Sequence, residues 1–262
     1  MGDVSYRPLI EDMTWSYSRV SSFADCPYAW FLHYIHGEEE APMFYASYGS
    51  FVHSLIERYY RGELRADELP SVFLQGFSSQ VEGKRPPDET VFKYIHSGLD
   101  YFRSFKPFPY EPLAIEERLE FDLDGIPFVA YPDFVGHDGD SVGLVDHKSR
   151  LLKPRSNRKK PTAKDVELDE MLRQLYLYAH GIRQKYGVFP SELCFNCFRG
   201  GVLIREPFCQ AAYEAAKDWA KREIECIAEE ENFRPRLDFF RCHWICPFHK
   251  ECCYYQDRGD AY

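Results

Sequence analysis

The hydrophobic period changes twice along residues 113–208, and this constrains the fold more than any other feature of the chain. Residues 115–123, 126–135 and 142–148 read as strands. Asp124-Gly125 between the first two is a two-residue hairpin signal, and Asp138-Gly139-Asp140 marks a second turn. Residues 165–186 form a long helix. Strands return at 193–198 and 202–206 around Gly200-Gly201. Helical segments flank this block. Ser16 and Ser18 cap a short helix through Phe23, and Pro27 opens another to about Ile35. Residues 49–60 are amphipathic, with Val52, Leu55, Ile56 and Tyr59 on the apolar stripe. Residues 62–86 read as helix fragments and loops, Pro87 opens a helix through about Phe105, and 210–231 is a last long helix. The expected fold is α/β, a central mixed sheet flanked by helices.

With 45% hydrophobic residues, the 262-residue chain can build one sizeable core. No apolar run approaches the roughly 18 residues that span a bilayer, and the first residues do not read as a signal peptide. A soluble cytoplasmic protein without membrane contact is expected. Nine cysteines without an export signal argue against a disulfide framework. A net charge of −10 excludes a generic basic nucleic-acid coat. Positive charge is concentrated locally: Lys148, Arg150, Lys153, Arg155, Arg158, Lys159, Lys160 and Lys164 follow one another with no acid between them. Such runs are usually solvated. This one leaves directly from a strand end, which makes it a candidate for phosphate contacts without base readout.

Asp133 is expected near the end of the second strand, with Asp146 and Lys148 near the end of the third. Residues two apart on a strand share a face, so Asp146 and Lys148 project together, and Asp133 joins them if the strands are neighbours. Carboxylates suit a hard divalent cation such as Mg²⁺, with the backbone carbonyl of His147 as a further ligand. The ion would acidify a bound water and polarise a phosphodiester, and Lys148 would offset developing charge. A lone Asp-x-Lys is commonly surface decoration, so the surrounding residues decide. His53 lies off the apolar stripe of its helix and could supply a nitrogen, which favours Mn²⁺. Glu57, one turn on, reads as solvated. Gln174 and Tyr178 share a helix face and either pack internally or touch a nucleic-acid backbone. Glu116 or Glu117 could add an acid.

Cys242, Cys246, Cys252 and Cys253 crowd the tail, and Cys26 stands far upstream. Short cysteine spacings suit a soft metal or an iron–sulfur cluster stapling the two ends of the chain. Cys194 and Cys197, three apart on a strand, read as ordinary thiols, as do Cys209 and Cys226.

The set GSFVH, PD, VDHK and QLYLY resembles the RecB-like branch of the PD-(D/E)XK nucleases, which includes the AddB nuclease domain and iron–sulfur CRISPR-associated and phage exonucleases. The resemblance runs from about Ser16 to the C-terminus. It implies a restriction-endonuclease-like core at about 49–61 and 113–208 of a single domain spanning 1–262. A helical insertion is expected at about 62–112, and a cysteine-bearing lobe from about 16–36 with 232–255. It further implies that His53, Asp133, Asp146 and Lys148 form the metal and catalytic site, completed by Gln174 and Tyr178. Cys26, Cys242, Cys246 and Cys252 would ligate a [4Fe-4S] cluster. Cys253 or His243 are alternative ligands and structural Zn²⁺ is the competing metal, because three residues separate Cys242 from Cys246 where the family has two.

The implied activity is Mg²⁺- or Mn²⁺-dependent hydrolysis of DNA, as an exonuclease on single strands or ends. Its setting would be recombination, phage DNA processing or CRISPR adaptation, with a protein partner from such a system. The other reading is a catalytically silent DNA-binding scaffold with a structural metal staple.

Overall fold

The structure is a computed structural model and describes residues 5–139 and 141–255. Asp140 of the expected second turn lies outside them. The chain begins with α1 (Arg7–Glu11), α2 (Tyr17–Asp25) and α3 (Pro27–Phe31). Ser16 caps α2 by accepting the Arg19 N–H. A π-helical turn, Leu32–His36, prolongs α3 and stops at Gly37. Next come α4 (Phe44–Tyr60), α5 (Leu69–Gln80) and α6 (Asp88–Arg103), followed by β1 (Glu111–Ile115), β2 (Leu119–Leu123), β3 (Ile126–Ala130), β4 (Phe134–Asp138) and β5 (Ser141–His147). The chain continues through α7 (Ala163–Tyr186), β6 (Glu192–Cys197), β7 (Val202–Pro207), α8 (Gln210–Ala228) and α9 (Phe239–Trp244).

Three local expectations need correction. Residues 115–123 and 126–135 are not two long strands, because each is broken. Glu116 adopts a left-handed φ of 49° that ends β1. Pro132 lacks the N–H a ladder needs and separates β3 from β4. The hairpin itself forms, with Asp124 and Gly125 at φ 55° and 92° and Leu123 paired to Ile126. Asp133 therefore immediately precedes β4 and does not sit in a long second strand. Second, α4 starts at Phe44 and not Gly49. Third, the region expected as fragments contains a continuous helix, α5. Its buried Leu69, Phe73 and Phe77 recur every fourth residue.

The central sheet has the order β1-β4-β5-β6-β7, and β2-β3 form a separate ribbon. Only β5 and β6 run parallel; the other central pairs are antiparallel. The parallel pair needs a long crossover, which α7 supplies. Strand pleating then sorts β5 residue by residue. Leu144 belongs to the large core with Leu172 and Leu175 of α7, whereas Val145 packs with Phe108 and Phe134 on the opposite face. By the same alternation, Asp146 and Lys148 face α7 and His147 faces Phe108. A third apolar cluster joins α4, α5 and α6 through residues such as Tyr48, Phe51, Phe73 and Phe102. No helix among the described residues is long and apolar enough to cross a membrane.

Helix α7 is fixed at both ends. Thr162 and Asp165 form a reciprocal capping box at its start. His180 meets the Asp122 carbonyl of the ribbon at 2.8 Å and the Tyr213 hydroxyl of α8 at 2.5 Å. Gly181 lets α7 settle directly on Phe121, whose Cδ1 would lie 2.7 Å from an added Cβ. Gly181→Ala should lower the urea midpoint. Overpacking costs roughly 1–3 kcal/mol, against about 1 kcal/mol gained in helix propensity. An unchanged or higher midpoint would mean that Phe121 yields without cost.

Candidate active site

The register of the β4–β5 pair positions the acids. Phe134 opposes Val145, so the preceding residue, Asp133, comes opposite Asp146 at the end of the ladder. Two carboxylates facing each other across strands repel. The backbone nevertheless locks them there. The His147 N–H donates to Asp133 Oδ2, and the Glu116 N–H donates to the Asp133 carbonyl at 3.2 Å. The left-handed turn that ends β1 thereby brings Glu116 to the same place. From the other side, α4 presents His53, whose Nδ1 is 3.6 Å from Asp133 Oδ2. His53, Glu116 and Asp133 offer one nitrogen and two carboxylate oxygens, all within 4.8 Å of one another. Of the two candidate acids, Glu116 lies in this cluster, whereas Glu117 turns away to Lys185 and Tyr186.

Lys148 is the cation of the cluster. Its Nζ lies 2.6 Å from Asp146 Oδ2 and donates to Gln174 Oε1 at 2.8 Å. Gln174 Nε2 donates to Asp146 Oδ1 at 2.9 Å and to the Tyr178 hydroxyl at 2.8 Å. Every polar atom of the Gln174 amide is thus engaged inside the site. Gln174 and Tyr178 organise Asp146 and Lys148 and do not reach outward. Glu57 pairs with Arg61 at 2.8 Å, and His147 accepts from Asn196 while its ring stacks on Phe108.

Charge in this pocket is out of balance. Burial first, then the charges of Asp146 and Glu116, hold the Asp133 carboxyl well above its usual range. Burial and the nearby Glu57 push Glu116 up to about 7. Burial lowers His53 to about 4, so its imidazole is neutral near pH 7 with a lone pair to offer. Asp146 is only 3% exposed, and its Oδ2 lies 2.6 Å from the Lys148 ammonium. Crowded carboxylate oxygens and one neutral imidazole fit a divalent cation.

The basic segment after Lys148 divides into two groups. Arg150 pairs with Glu167, and Arg155 binds Asp169 at 2.7 Å and Glu206 at 2.9 Å. Lys153, Arg158, Lys159 and Lys160 are exposed, with no ion pair among the described residues. Asp165 pins the segment by accepting the Ser156 N–H at 2.7 Å, beside its capping role.

A second convergence lies at the chain's two ends. Cys26, Cys242, Cys246 and Cys252 line one cavity of about 180 Å³. Arg241 ties the walls together through Asp25 at 2.8 Å. Burial, followed by the proximity of Cys26, Cys242 and Cys252, raises the Cys246 thiol to about 11. Cys253 is exposed and meets the Tyr28 hydroxyl at 3.4 Å instead. His243 Nδ1 and Nε2 face the Tyr255 hydroxyl and Lys84 at 2.7 and 2.8 Å.

Cation affinity should rise from pH 6 to pH 8, because Glu116 must lose its proton to ligate and titrates near 7. Calorimetry with Mn²⁺ should show this rise with proton release. Glu116→Ala should weaken binding tenfold or more and Glu117→Ala should leave it intact. Equal losses in both variants would contradict the site.

Comparisons with known proteins bear on the family and the fold. The sequence model of the PD-(D/E)XK nuclease superfamily matches residues 14–253. No curated protein matches the chain. Among solved structures, the "Putative exonuclease" of Eubacterium rectale shares the fold at 14% identity and a TM-score of 0.52, over 92% of this chain and 90% of that one. Nearly the whole sequence falls within the family match, and the chain belongs to the PD-(D/E)XK nuclease superfamily.

Proposed function

We propose that the chain is a divalent-cation-dependent deoxyribonuclease of the RecB-like branch, an exonuclease acting on single-stranded DNA or DNA ends. The observation that carries this reading is the convergence of Glu116, Asp133, Asp146, His53 and Lys148 at one sheet edge. His53, Glu116, Asp133 and Asp146 would hold Mg²⁺ or Mn²⁺, with the His147 carbonyl as a further ligand. When bound, the ion acidifies a coordinated water and polarises the scissile phosphate. Lys148, aimed by Asp146 and Gln174, orients the attacking water and offsets charge on the phosphoryl oxygens. Hydrolysis forms a P–O bond from that water, breaks the bond to the leaving ribose oxygen, and returns a proton to it. Lys153, Arg158, Lys159 and Lys160 hold the DNA backbone. The exonuclease assignment draws on the Eubacterium rectale protein and on the family resemblance, as does a protein partner in recombination, phage DNA processing or CRISPR adaptation.

We assign Cys26, Cys242, Cys246 and Cys252 to a [4Fe-4S] cluster. Four thiols on one zinc at 2.3 Å would sit about 3.8 Å apart. The cavity that these cysteines help to line, about 180 Å³, has room for the larger group.

Labelled single- and double-stranded DNA with Mg²⁺ or Mn²⁺ tests the enzyme. Asp146→Ala and Lys148→Ala should each lower kcat by about 10²–10³-fold, and Gln174→Ala by about 10–100-fold, with native circular dichroism. Activity persisting in the first two variants would overturn the assignment, and no cleavage by the wild type with either ion would favour the scaffold reading. Anaerobic protein should be coloured and contain iron and sulfide. Cys252→Ser should lose the colour and Cys253→Ser keep it, whereas colourless zinc-bearing protein would contradict the cluster.

A further inference from the structure

Helix α4 links the cation site to a second feature. Tyr45, Gly49 and His53 are four residues apart, so they lie on one face of the helix. The eight residue steps from Tyr45 to His53 span about 12 Å of helix axis, roughly three steps of stacked bases at about 3.4 Å each. Midway, an added Gly49 Cβ would meet Ser149 Oγ at 3.7 Å, so the residue after Lys148 borders this face. At the far end the stripe becomes aromatic. The Tyr45 ring lies 5.3 Å from Tyr94 and 6.1 Å from Phe240 of α9. Phe240 is 55% exposed and extends the stripe into solvent.

A cation accompanies these rings. Arg199 follows β6, which runs parallel to the catalytic strand, so both strands end at the same edge. Its guanidinium sits 4.4 Å from the Tyr94 ring centroid and donates to the Tyr94 hydroxyl at 2.5 Å. Unlike Arg150 and Arg155, Arg199 has no carboxylate partner among the described residues. Its neighbour Phe198 touches the ring of His53 at 5.8 Å, which sets the arginine beside the cation site. An exposed ring with an uncompensated guanidinium behind it is the pairing that grips an unpaired strand, with bases on the ring and phosphate on the cation.

We propose that Phe240, Tyr45 and Arg199 form a track for an unpaired DNA strand leading along α4 to the cation site. Phe240 stacks a base, and Arg199 holds a phosphate between that base and the scissile bond. The proposal rests on the nuclease reading and names its substrate form. It distinguishes this face from the Lys153–Lys160 segment, which has charge but no comparable ring platform.

The test measures binding by fluorescence anisotropy in Ca²⁺, with a labelled 20-mer of thymidine, an abasic oligomer of equal length, and a duplex. Phe240→Ala should weaken the thymidine oligomer roughly tenfold and leave the abasic oligomer and the duplex unchanged. Phe240→Trp should restore the loss. Arg199→Gln should weaken both single strands and reduce the salt dependence of log K by about 0.7. Wild-type affinity in Phe240→Ala, or equal losses on thymidine and abasic strands, would overturn the track even if the chain cuts DNA. A ring-dependent preference for thymidine in a chain that cuts nothing would support the track while sinking the nuclease reading. If Phe240→Ala changed only the oligomeric state, the exposed ring would belong to an interface with a second copy, and the track would be wrong.

Discussion

Three carboxylates, Glu116, Asp133 and Asp146, are gathered around one lysine in a largely buried pocket, and the rest of the molecule is arranged around that imbalance. Burial penalises every charge there, and the acids repel one another. Lys148 offsets part of the charge. The Asp133 and Glu116 carboxyls respond by holding their protons to higher pH than an ordinary carboxyl, and a bound cation would favour their release. A fold built for stability alone would not place acids opposite each other at a ladder end. Here the strain is local, and the hydrogen bonds that hold it are backbone bonds to Asp133.

The architecture explains why the groups meet. Parity along β5 directs Asp146 and Lys148 toward α7, so the helix that crosses from β5 to β6 also supplies Gln174 and Tyr178. The opposite parity sends the His147 ring into the core around Phe108, leaving its backbone at the site. Helix α4 closes the other side through His53. These groups thus lie at the carboxyl ends of the parallel strands, where α/β sheets commonly bind ligands.

The alternation of apolar residues made the strands and long helices legible, and the two-residue spacing of Asp146 and Lys148 predicted their shared face. What the sequence concealed was conformational. A left-handed Glu116 cannot be read from composition, since it is a non-glycine residue held in a strained region by its surroundings. That turn both splits an expected strand and selects Glu116 over Glu117. Gln174 was visible as a neighbour of Tyr178. Its inward role depends on the side-chain amide matching three partners at once, which only coordinates reveal. The basic segment was legible as charge. The pairing of Arg150 and Arg155 with acids of α7 and β7 was not, because those acids lie far along the chain.

The account stands or falls on where a cation binds. Crystals soaked in Mn²⁺ and measured for anomalous scattering give its position directly. The account predicts a peak among His53, Glu116, Asp133 and Asp146, lost in Asp133→Ala. Saturating Mn²⁺ with no peak there, or with peaks only elsewhere on the surface, would contradict it.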